Sequence, residues 1–274
     1  MGYKLQIFDD KAPTLHREVH IPDAKAEEIR SNEGTAVSII RAIIGEYESV
    51  AQLKYHRTFL GHKYLLDLND KNQAMGEIQR DFMLHGTYEP ETSKIVEEVV
   101  KEGDVAVDVG ASIGLFTMLL AKQVGAKGKV YSIEPTSNQF PYLQENINLN
   151  GYQDRVIAIN KAAYDKVAGN ESFKINLGQE GEVEAVVLDD ILPEKVDFIK
   201  IDVDGAEPHV LKGLIKTIER NPQLKMVIEY YPEYIKNLGN DPKEMIDILD
   251  KYFDYKRVDG EFDETHFNYY CVRK

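Results

Sequence analysis

The sequence is poor in two features that would point to particular classes of protein. It has one cysteine, Cys271, in 274 residues, which excludes an intramolecular disulfide and a multi-cysteine metal site. It has no excess of basic side chains, because 33 Lys and Arg stand against 47 Asp and Glu, giving a net charge of -14. That charge disfavours nucleic acid or an anionic membrane as the main partner.

The sequence also lacks a long apolar run and a targeting pattern at its N-terminus. The longest apolar stretch, around residues 110–121, is interrupted by glycines and is shorter than the roughly 20 residues that span a bilayer. The opening residues MGYKLQIFDD do not have the basic-then-apolar order of a secretory signal. Together with the single cysteine, these features predict a cytoplasmic protein with no membrane partner, and they leave the oligomeric state open.

Periodicity divides the chain into two parts. Residues 1–61 are predicted to be an α/β extension with a helix near residues 35–50, which we interpret as a lid or a substrate-binding element. Residues 62–274 are predicted to form the main domain. Within residues 53–69, alternating side chains predict two strands that pair across Gly61.

The main domain is predicted to be a doubly wound, Rossmann-like α/β fold. From residue 91, strands alternate with helices, which predicts a mostly parallel sheet covered on both faces. The final two strands are joined by a turn-rich segment and must be antiparallel to each other, so the last strand is predicted to be reversed. The predicted parallel strands are residues 105–109, 129–133, 156–160, 196–201 and 224–230.

A glycine loop, VAVDVGASIG at residues 105–114, follows the first of these strands. Gly110 allows a tight turn and Gly114 allows the next helix to start close to the sheet, and we expect free N–H groups there to bind a ligand. The spacing D-x-G-x-x-x-G lacks the third glycine of a dinucleotide fingerprint. Asp108 would repel a pyrophosphate but suits a cationic ligand.

Glu134 follows the second strand, 20 residues after Gly114. An acid at this position typically accepts hydrogen bonds from ribose hydroxyls. An adenosine-type ligand without a diphosphate, S-adenosylmethionine, fits both motifs. We therefore expect Gly110→Val to abolish cofactor binding and Glu134→Ala to weaken it.

These motifs resemble the FkbM-type family of class I S-adenosylmethionine-dependent methyltransferases. The resemblance covers about residues 62–260. Two positions depart from the usual pattern: Ser112 stands where the family often has Asn, and Asp204 where it usually has Glu. The motifs are GTYEPE at 86–91, EGDVAVDVGASIGLFT at 102–117, IEPTSNQFPYLQENINLNG at 133–151, VVLDDIL at 186–192 and VDFIKIDVDGAEPHVLKG at 196–213.

The resemblance implies that residues 62–274 are a methyltransferase domain that binds S-adenosyl-L-methionine and releases S-adenosyl-L-homocysteine. It implies a small-molecule acceptor, most often a hydroxyl oxygen of a small or sugar-like molecule. The cofactor-binding residues predicted in this way are Glu89, Asp108, Gly110, Ala111, Ser112, Gly114, Glu134 and Asp202.

The segment KIDVDGAE places three further candidates, Lys200, Asp202 and Asp204, on one side of a strand end. We predict these three as the catalytic residues. After positioning the reactants, Asp202 is expected to accept the acceptor's proton, to hold the sulfonium by charge, or to bind a metal, in that order. No bound metal is predicted. Glu229, which ends the fifth strand, is expected to point toward the same rim.

Three other functions stay open from the sequence. One keeps the chemistry but changes the acceptor to RNA or a protein side chain. Another is a nicotinamide-dependent oxidoreductase, which the missing third glycine and Asp108 disfavour. The last is a non-catalytic binding protein with a cofactor fold, against which the intact motifs argue without excluding it.

Overall fold

The computed structural model describes residues 3–9, 12–21, 54–59, 61–67, 88–166, 172–175, 179–258, 260 and 264–274. The chain divides into two compact units, Met1–Tyr88 and Glu89–Lys274. The helix predicted near residues 35–50 lies outside the described residues. The proposed domain boundary at residues 61 and 62 stays a prediction.

The first unit contains two antiparallel hairpins. Strand β1, Tyr3–Asp9, pairs with β2, Ala12–Ile21. Strand β3, Lys54–Phe59, pairs with β4, His62–Asp67, so the pairing predicted across Gly61 is confirmed. Gly61 has φ +84°, a conformation that glycine adopts readily in a tight turn.

The second unit is an α/β domain whose elements alternate as the periodicity predicted. In chain order these elements are α1 Pro90–Val99, β5 Val105–Val109, α2 Leu115–Val124, β6 Lys129–Ile133, α3 Phe140–Leu149, β7 Val156–Ile159, β8 Ala162–Ala163, β9 Ser172–Ile175, β10 Gln179–Glu182, β11 Ala185–Val186, α4 Leu188–Ile191, β12 Phe198–Ile201, α5 Glu207–Lys212, α6 Ile215–Arg220, β13 Lys225–Tyr230, α7 Pro232–Asn237, α8 Pro242–Tyr252, β14 Phe253–Val258 and β15 Phe267–Arg273.

Seven strands form the central sheet, in the order β14-β15-β13-β12-β5-β6-β7. The five strands from β13 to β7 are parallel. Strand β15 is antiparallel to both of its neighbours, β13 and β14. The predicted doubly wound sheet with a reversed last strand is therefore confirmed, and the reversed strand lies between β13 and β14.

The order of strands also identifies where a ligand can enter. From β5 the chain runs outward to β6 and β7, and it then returns to β12 on the other side of β5. The carboxyl ends of β5 and β12 therefore flank a topological switch point, where open α/β sheets bind ligands. The candidate residues Gly110, Glu134 and Asp202 each follow one of the strands that end at this edge.

The strands at the centre are buried on both faces. All four residues of β12 are buried, as are four of the five in β5. This burial explains why both strands are mostly apolar, and it makes Asp108 and Lys200 buried charged residues within them. Cys271 of β15 belongs to the same core, and burial raises the pKa of its thiol. Among the described residues, no helix combines the length and apolarity needed to cross a membrane.

Residues 207–220 form two short helices, whereas the spacing of their apolar residues indicates one continuous helix. The apolar residues between Val210 and Ile218 have helical spacing, but they lie in two short helices, α5 and α6, that separate at Gly213. A Cβ on Gly213 would lie 2.4 Å from the main-chain oxygen of Tyr164. The close approach of Gly213 to the main chain of Tyr164 is a tertiary contact, which the helical period of the sequence does not reveal.

Candidate functional site

The glycine loop after β5 is held by the end of β6. The N–H groups of Gly110 and Ala111 both donate to the carbonyl of Ile133, at 2.9 and 3.0 Å. The N–H of Ser112 donates to Oε2 of Glu134 at 2.7 Å. The expectation of free N–H groups is therefore wrong for these three residues, because β6 supplies acceptors beside the loop.

Two glycines of this loop are required by its geometry. Gly110 has φ +83°, and a Cβ there would lie 1.7 Å from the carbonyl oxygen of Asp202. Gly114 has φ +94°, and its Cβ would lie 2.8 Å from Cδ1 of Leu143. Both positions thus combine a backbone conformation that favours glycine with a close neighbour. Gly110 directly links the loop to the segment that carries Asp202.

Asp108 lies inside the protein, at the end of β5. It is 1% exposed and accepts a hydrogen bond of 2.6 Å from the hydroxyl of Thr117, one turn into α2. Burial raises the pKa of Asp108, although the positive charge of Lys200 and the bond from Thr117 act in the opposite direction. Its carboxyl group therefore helps to fix α2 against the strand, in addition to any effect on a ligand.

Glu134 connects the end of β6 to the glycine loop. It is 3% exposed, and its Oε1 accepts bonds from the N–H and the hydroxyl of Thr136, at 2.8 and 2.5 Å. Its Oε2 accepts the bond from Ser112 described above. Burial raises the pKa of Glu134, and the bonds from Thr136 and Ser112 partly offset that effect.

Lys200 and Asp202 form a largely buried ion pair at the end of β12. The Nζ atom of Lys200 lies 2.8 Å from Oδ2 of Asp202, and the lysine side chain is 3% exposed. The same Nζ lies 4.4 Å from the centre of the Phe116 ring, a cation–π distance. Burial lowers the pKa of Lys200, but the charges of Asp202, Glu89 and Asp108 outweigh it and raise the pKa. Lys200 thus stays charged and supplies positive charge rather than a base.

Glu89 reaches this region from the start of α1. It is 6% exposed and accepts a hydrogen bond of 3.1 Å from the side-chain amide of Asn268. The same amide donates to the hydroxyl of Thr92 at 3.0 Å. Nothing in the sequence pattern identified Asn268, because its place beside α1 depends on the insertion of β15 into the sheet.

Four acidic side chains gather where β12 and β13 end. Oxygens of Asp202, Asp204 and Glu229 lie within 4.8 Å of one another. Glu207 accepts hydrogen bonds at its Oε1 from the N–H groups of Val203 and Gly205, so it stabilises the turn before α5. Burial raises the pKa of Glu207 to about 7. Burial and the charges of the other three acids raise the pKa of Glu229 well above its usual range.

A histidine that sequence reasoning missed completes this edge. His266 Nε2 lies 2.7 Å from Oε1 of Glu229, and its ring stacks on Tyr231 at 4.5 Å. Tyr231 in turn stacks on Tyr234 at 4.2 Å. The signal was absent because Glu229 and His266 are far apart in sequence, and only the register of β13 against β15, with Glu229 opposite Asn268, brings them together.

The structure therefore brings the predicted residues to one edge. Among the residues that contact the predicted ones, the sequence did not reveal Phe116, Thr117, His266 and Asn268.

Two known proteins with similar sequences are a methyltransferase and an uncharacterized protein. The chain is 25% identical over 195 residues to the hexuronic acid methyltransferase AglP of Haloferax volcanii, covering 65% of this chain and 73% of AglP. It is 42% identical over 59 residues to the uncharacterized protein MJ1452 of Methanocaldococcus jannaschii, which is 22% of each chain.

Solved structures agree on the fold. A candidate rRNA methylase from Clostridium thermocellum superimposes with a TM-score of 0.50 at 16% identity, over 67% of this chain and 93% of that one. Similarity at this level of identity shows the fold alone.

The sequence pattern of the methyltransferase FkbM domain matches residues 108–257, more than half of the chain. This range includes the glycine loop, Glu134 and the acidic groups of β12 and β13. The chain therefore belongs to the FkbM methyltransferase family and is an S-adenosylmethionine-dependent methyltransferase.

Proposed function

We propose that this enzyme transfers a methyl group to a hydroxyl oxygen of a small, sugar-like acceptor. One observation carries the proposal: the acidic side chains of Asp202, Asp204 and Glu229 meet beside the glycine loop, at the switch point of the sheet. A carboxylate at this place is positioned to accept a proton from a hydroxyl group. A hydroxyl acceptor must lose its proton as the new carbon–oxygen bond forms, so a nearby carboxylate favours the reaction.

The residues of the loop fit S-adenosylmethionine better than a dinucleotide. The Oγ atom of Ser112 is buried and has no hydrogen-bond partner among the described residues, so it is available to a polar ligand. Asp108 lies at the end of the strand that leads into the loop, where a carboxylate suits the cationic cofactor and disfavours a pyrophosphate, and Glu134 suits the ribose hydroxyls. We propose that Glu89, Gly110, Ala111, Ser112, Gly114, Glu134, Asp108 and Asp202 form the cofactor site.

The residues around the methyl group then have distinct tasks. Bound S-adenosylmethionine supplies an electrophilic methyl group on a sulfonium, and it leaves as S-adenosylhomocysteine. Asp202 and Asp204 face the acceptor, and Asp202 takes its single hydroxyl proton as the carbon–oxygen bond forms. Lys200 holds Asp202 through their 2.8 Å contact. Because methyl transfer is an in-line displacement, much of the rate comes from holding the two reactants in position.

An open cavity beside Glu229 and His266 suits the acceptor. Its volume is about 320 Å³, and its lining includes polar and charged side chains. Such side chains can form hydrogen bonds with the hydroxyl groups of a sugar. The name of AglP, a hexuronic acid methyltransferase, supports an acceptor of this class. The lining residues are Tyr231, Pro232, Glu233, Lys236, Asn237 and Thr265.

Calorimetric titration tests the cofactor directly. We expect S-adenosylmethionine and S-adenosylhomocysteine to bind and NAD not to bind. Methyl transfer from a radiolabelled donor to uronic acids, neutral sugars and an RNA transcript then tests the acceptor. Labelling of RNA or of a protein with no labelling of any sugar would overturn the proposed acceptor class and support the alternative left open by the sequence.

Replacing Asp202 separates its two proposed roles. We expect Asp202→Asn to lower kcat by about 100-fold or more, the usual contribution of a positioned proton acceptor, while the Kd for the cofactor rises by a much smaller factor. Kinetics and calorimetry on the same preparation give both values. Loss of cofactor affinity together with turnover would instead assign Asp202 to cofactor binding.

Replacing Glu134 should weaken cofactor binding. We expect Glu134→Ala to raise the Kd for S-adenosylmethionine by about 10- to 150-fold, because a hydrogen bond to a charged group contributes roughly 1.5–3 kcal/mol. Glu145→Ala, which removes an exposed acid from α3, is the matched control and should leave the Kd unchanged. Normal affinity in Glu134→Ala would exclude contact between this carboxylate and the ribose.

A further inference from the structure

The acidic side chains beyond the cofactor loop form a group with the chemistry of a cation site. Asp202 and Asp204 come from the segment after β12, and Glu229 comes from β13. One carboxylate oxygen from each lies within 4.8 Å of the other two. We refer to these three residues as the acidic cluster. Hard divalent cations prefer carboxylate oxygens in this kind of arrangement.

Buried carboxylate oxygens without a partner point independently to a ligand here. The side chain of Glu229 is 9% exposed, and its Oε1 is bonded to His266, yet its Oε2 is buried with no hydrogen-bond partner among the described residues. Glu207, adjacent to the cluster, is 1% exposed, and its Oε2 is likewise buried and unpartnered within the described part of the chain. Leaving a buried carboxyl oxygen without a hydrogen-bond partner is costly, so both atoms favour a bound group at this position.

The basic side chains nearby only partly offset the negative charge of these acidic side chains. Lys200 pairs with Oδ2 of Asp202, and His266 pairs with Oε1 of Glu229. Four carboxyl groups, those of Asp202, Asp204, Glu207 and Glu229, lie at this edge in the described part of the chain, where one lysine and one histidine pair with them. A divalent cation would balance this surplus, whereas an uncharged ligand would not.

The spacing of the oxygens also fits one ion. Two oxygens bound to the same Ca²⁺ at about 2.3–2.6 Å are at most roughly 4.6–5.2 Å apart, whereas two oxygens on Mg²⁺ are at most about 4.2 Å apart. The three oxygens of the acidic cluster lie within the first limit as they stand. Their spacing is therefore compatible with a single hard cation.

We propose that Asp202, Asp204 and Glu229 bind one hard divalent cation such as Ca²⁺, Mn²⁺ or Mg²⁺. Glu207 lies outside the ligand set and adds negative charge beside it. The cation lies where the acceptor approaches, so it can bind acceptor oxygens directly. The sequence analysis ranked a metal role last because the pattern could not show that Glu229 comes within 4.8 Å of the two aspartates. The site uses carboxylates that the proposed function assigns to the acceptor and so rests on that function, but metal binding can be measured without knowing the acceptor.

The test measures the metal alone on the full chain. Titration of MnCl₂ followed by electron paramagnetic resonance, and of CaCl₂ by calorimetry, is expected to show one site per chain. We expect Glu229→Gln and Asp204→Asn each to raise the Kd by tenfold or more. Asp254→Asn, which neutralises an exposed acid on β14, is the matched control and should bind as the wild type does.

The outcomes separate this proposal from its alternatives. Absence of Mn²⁺ and Ca²⁺ binding at millimolar concentration, or equal binding by all four proteins, would overturn it. If Glu229→Gln does not fold, Asp204→Asn decides the question alone, since Asp204 is only partly buried. No cofactor is present in these titrations, so a failure here leaves the separate titration with S-adenosylmethionine intact, and a failure there leaves this one intact.

Discussion

Gly110→Ala is expected to lower the free energy of unfolding by about 3 kcal/mol or more and to abolish measurable binding of S-adenosylmethionine. The left-handed φ of +83° costs a non-glycine residue roughly 1–2 kcal/mol. The added Cβ would also lie 1.7 Å from the carbonyl oxygen of Asp202, and forcing atoms into a packed site costs a further 1–3 kcal/mol or so. Because the obstructing atom belongs to the main chain, it cannot rotate away.

Gly103→Ala is the matched control for this substitution. Gly103 precedes the same strand at its other end and has φ +90°, but a Cβ there would have nothing within 4 Å. We expect it to cost only the roughly 1–2 kcal/mol of the backbone conformation and to leave cofactor binding unchanged. Urea denaturation and calorimetry measure both effects. Equal losses of stability in the two variants would show that the contact with Asp202 does not matter.

The structure changes the reason for this prediction. From the sequence, a side chain at Gly110 was expected to fill the space where the backbone meets the ligand. The structure shows that it would first separate β5 from the segment carrying Asp202. The variant should therefore lose stability even without cofactor, which a purely ligand-facing position would not do.

Lys200→Met is expected to destabilise the protein by about 3–5 kcal/mol. Removing one partner of a buried ion pair leaves an uncompensated charge in the interior, and this is strongly unfavourable. Here the lysine is 3% exposed, and it balances Asp202, Glu89 and Asp108 together. Methionine keeps much of the length and apolar character of the lysine side chain, so the loss reports on charge rather than on a cavity.

Lys212→Met provides the comparison for the buried pair. Lys212 forms an ion pair with Glu244 at the same distance, 2.8 Å, but the two side chains are 36% and 47% exposed. Surface pairs of this kind contribute roughly 0–1 kcal/mol. Urea denaturation of both variants should therefore differ by several kcal/mol. Similar values would mean that the surroundings of Lys200 are better hydrated than its burial indicates.

Much of the second unit could be predicted from local pattern. The strands Val105–Val109 and Lys129–Ile133 were predicted with the residues at which they begin and end, because each is a short, mostly apolar segment next to glycine or polar residues. Asp108, Glu134 and Asp202 were placed at one edge because parallel strands share the direction of their carboxyl ends. That inference needs only the order of elements, not their contacts.

The contacts themselves could not be predicted in the same way. Asn268 and His266 reach Glu89 and Glu229 across separations of 179 and 37 residues. Their positions depend on β15 entering between β13 and β14, and hydrophobic period does not encode which neighbours a strand will have. For the same reason, the sequence did not reveal that Glu134 accepts a hydrogen bond from the N–H of Ser112.

The position of β15 has a consequence for the order in which the molecule assembles. A ribosome makes β13 and β14 before β15, yet in the finished sheet these two strands have no direct pairing with each other. Until β15 emerges, β13 has an open edge and β14 has no partner in the sheet, which is the kind of exposed edge that nascent chains must protect. The side chains that hold Glu89 and Glu229 arrive with this late segment. A stalled or shortened chain would therefore contain the five parallel strands of the sheet but lack the side chains that hold Glu89 and Glu229.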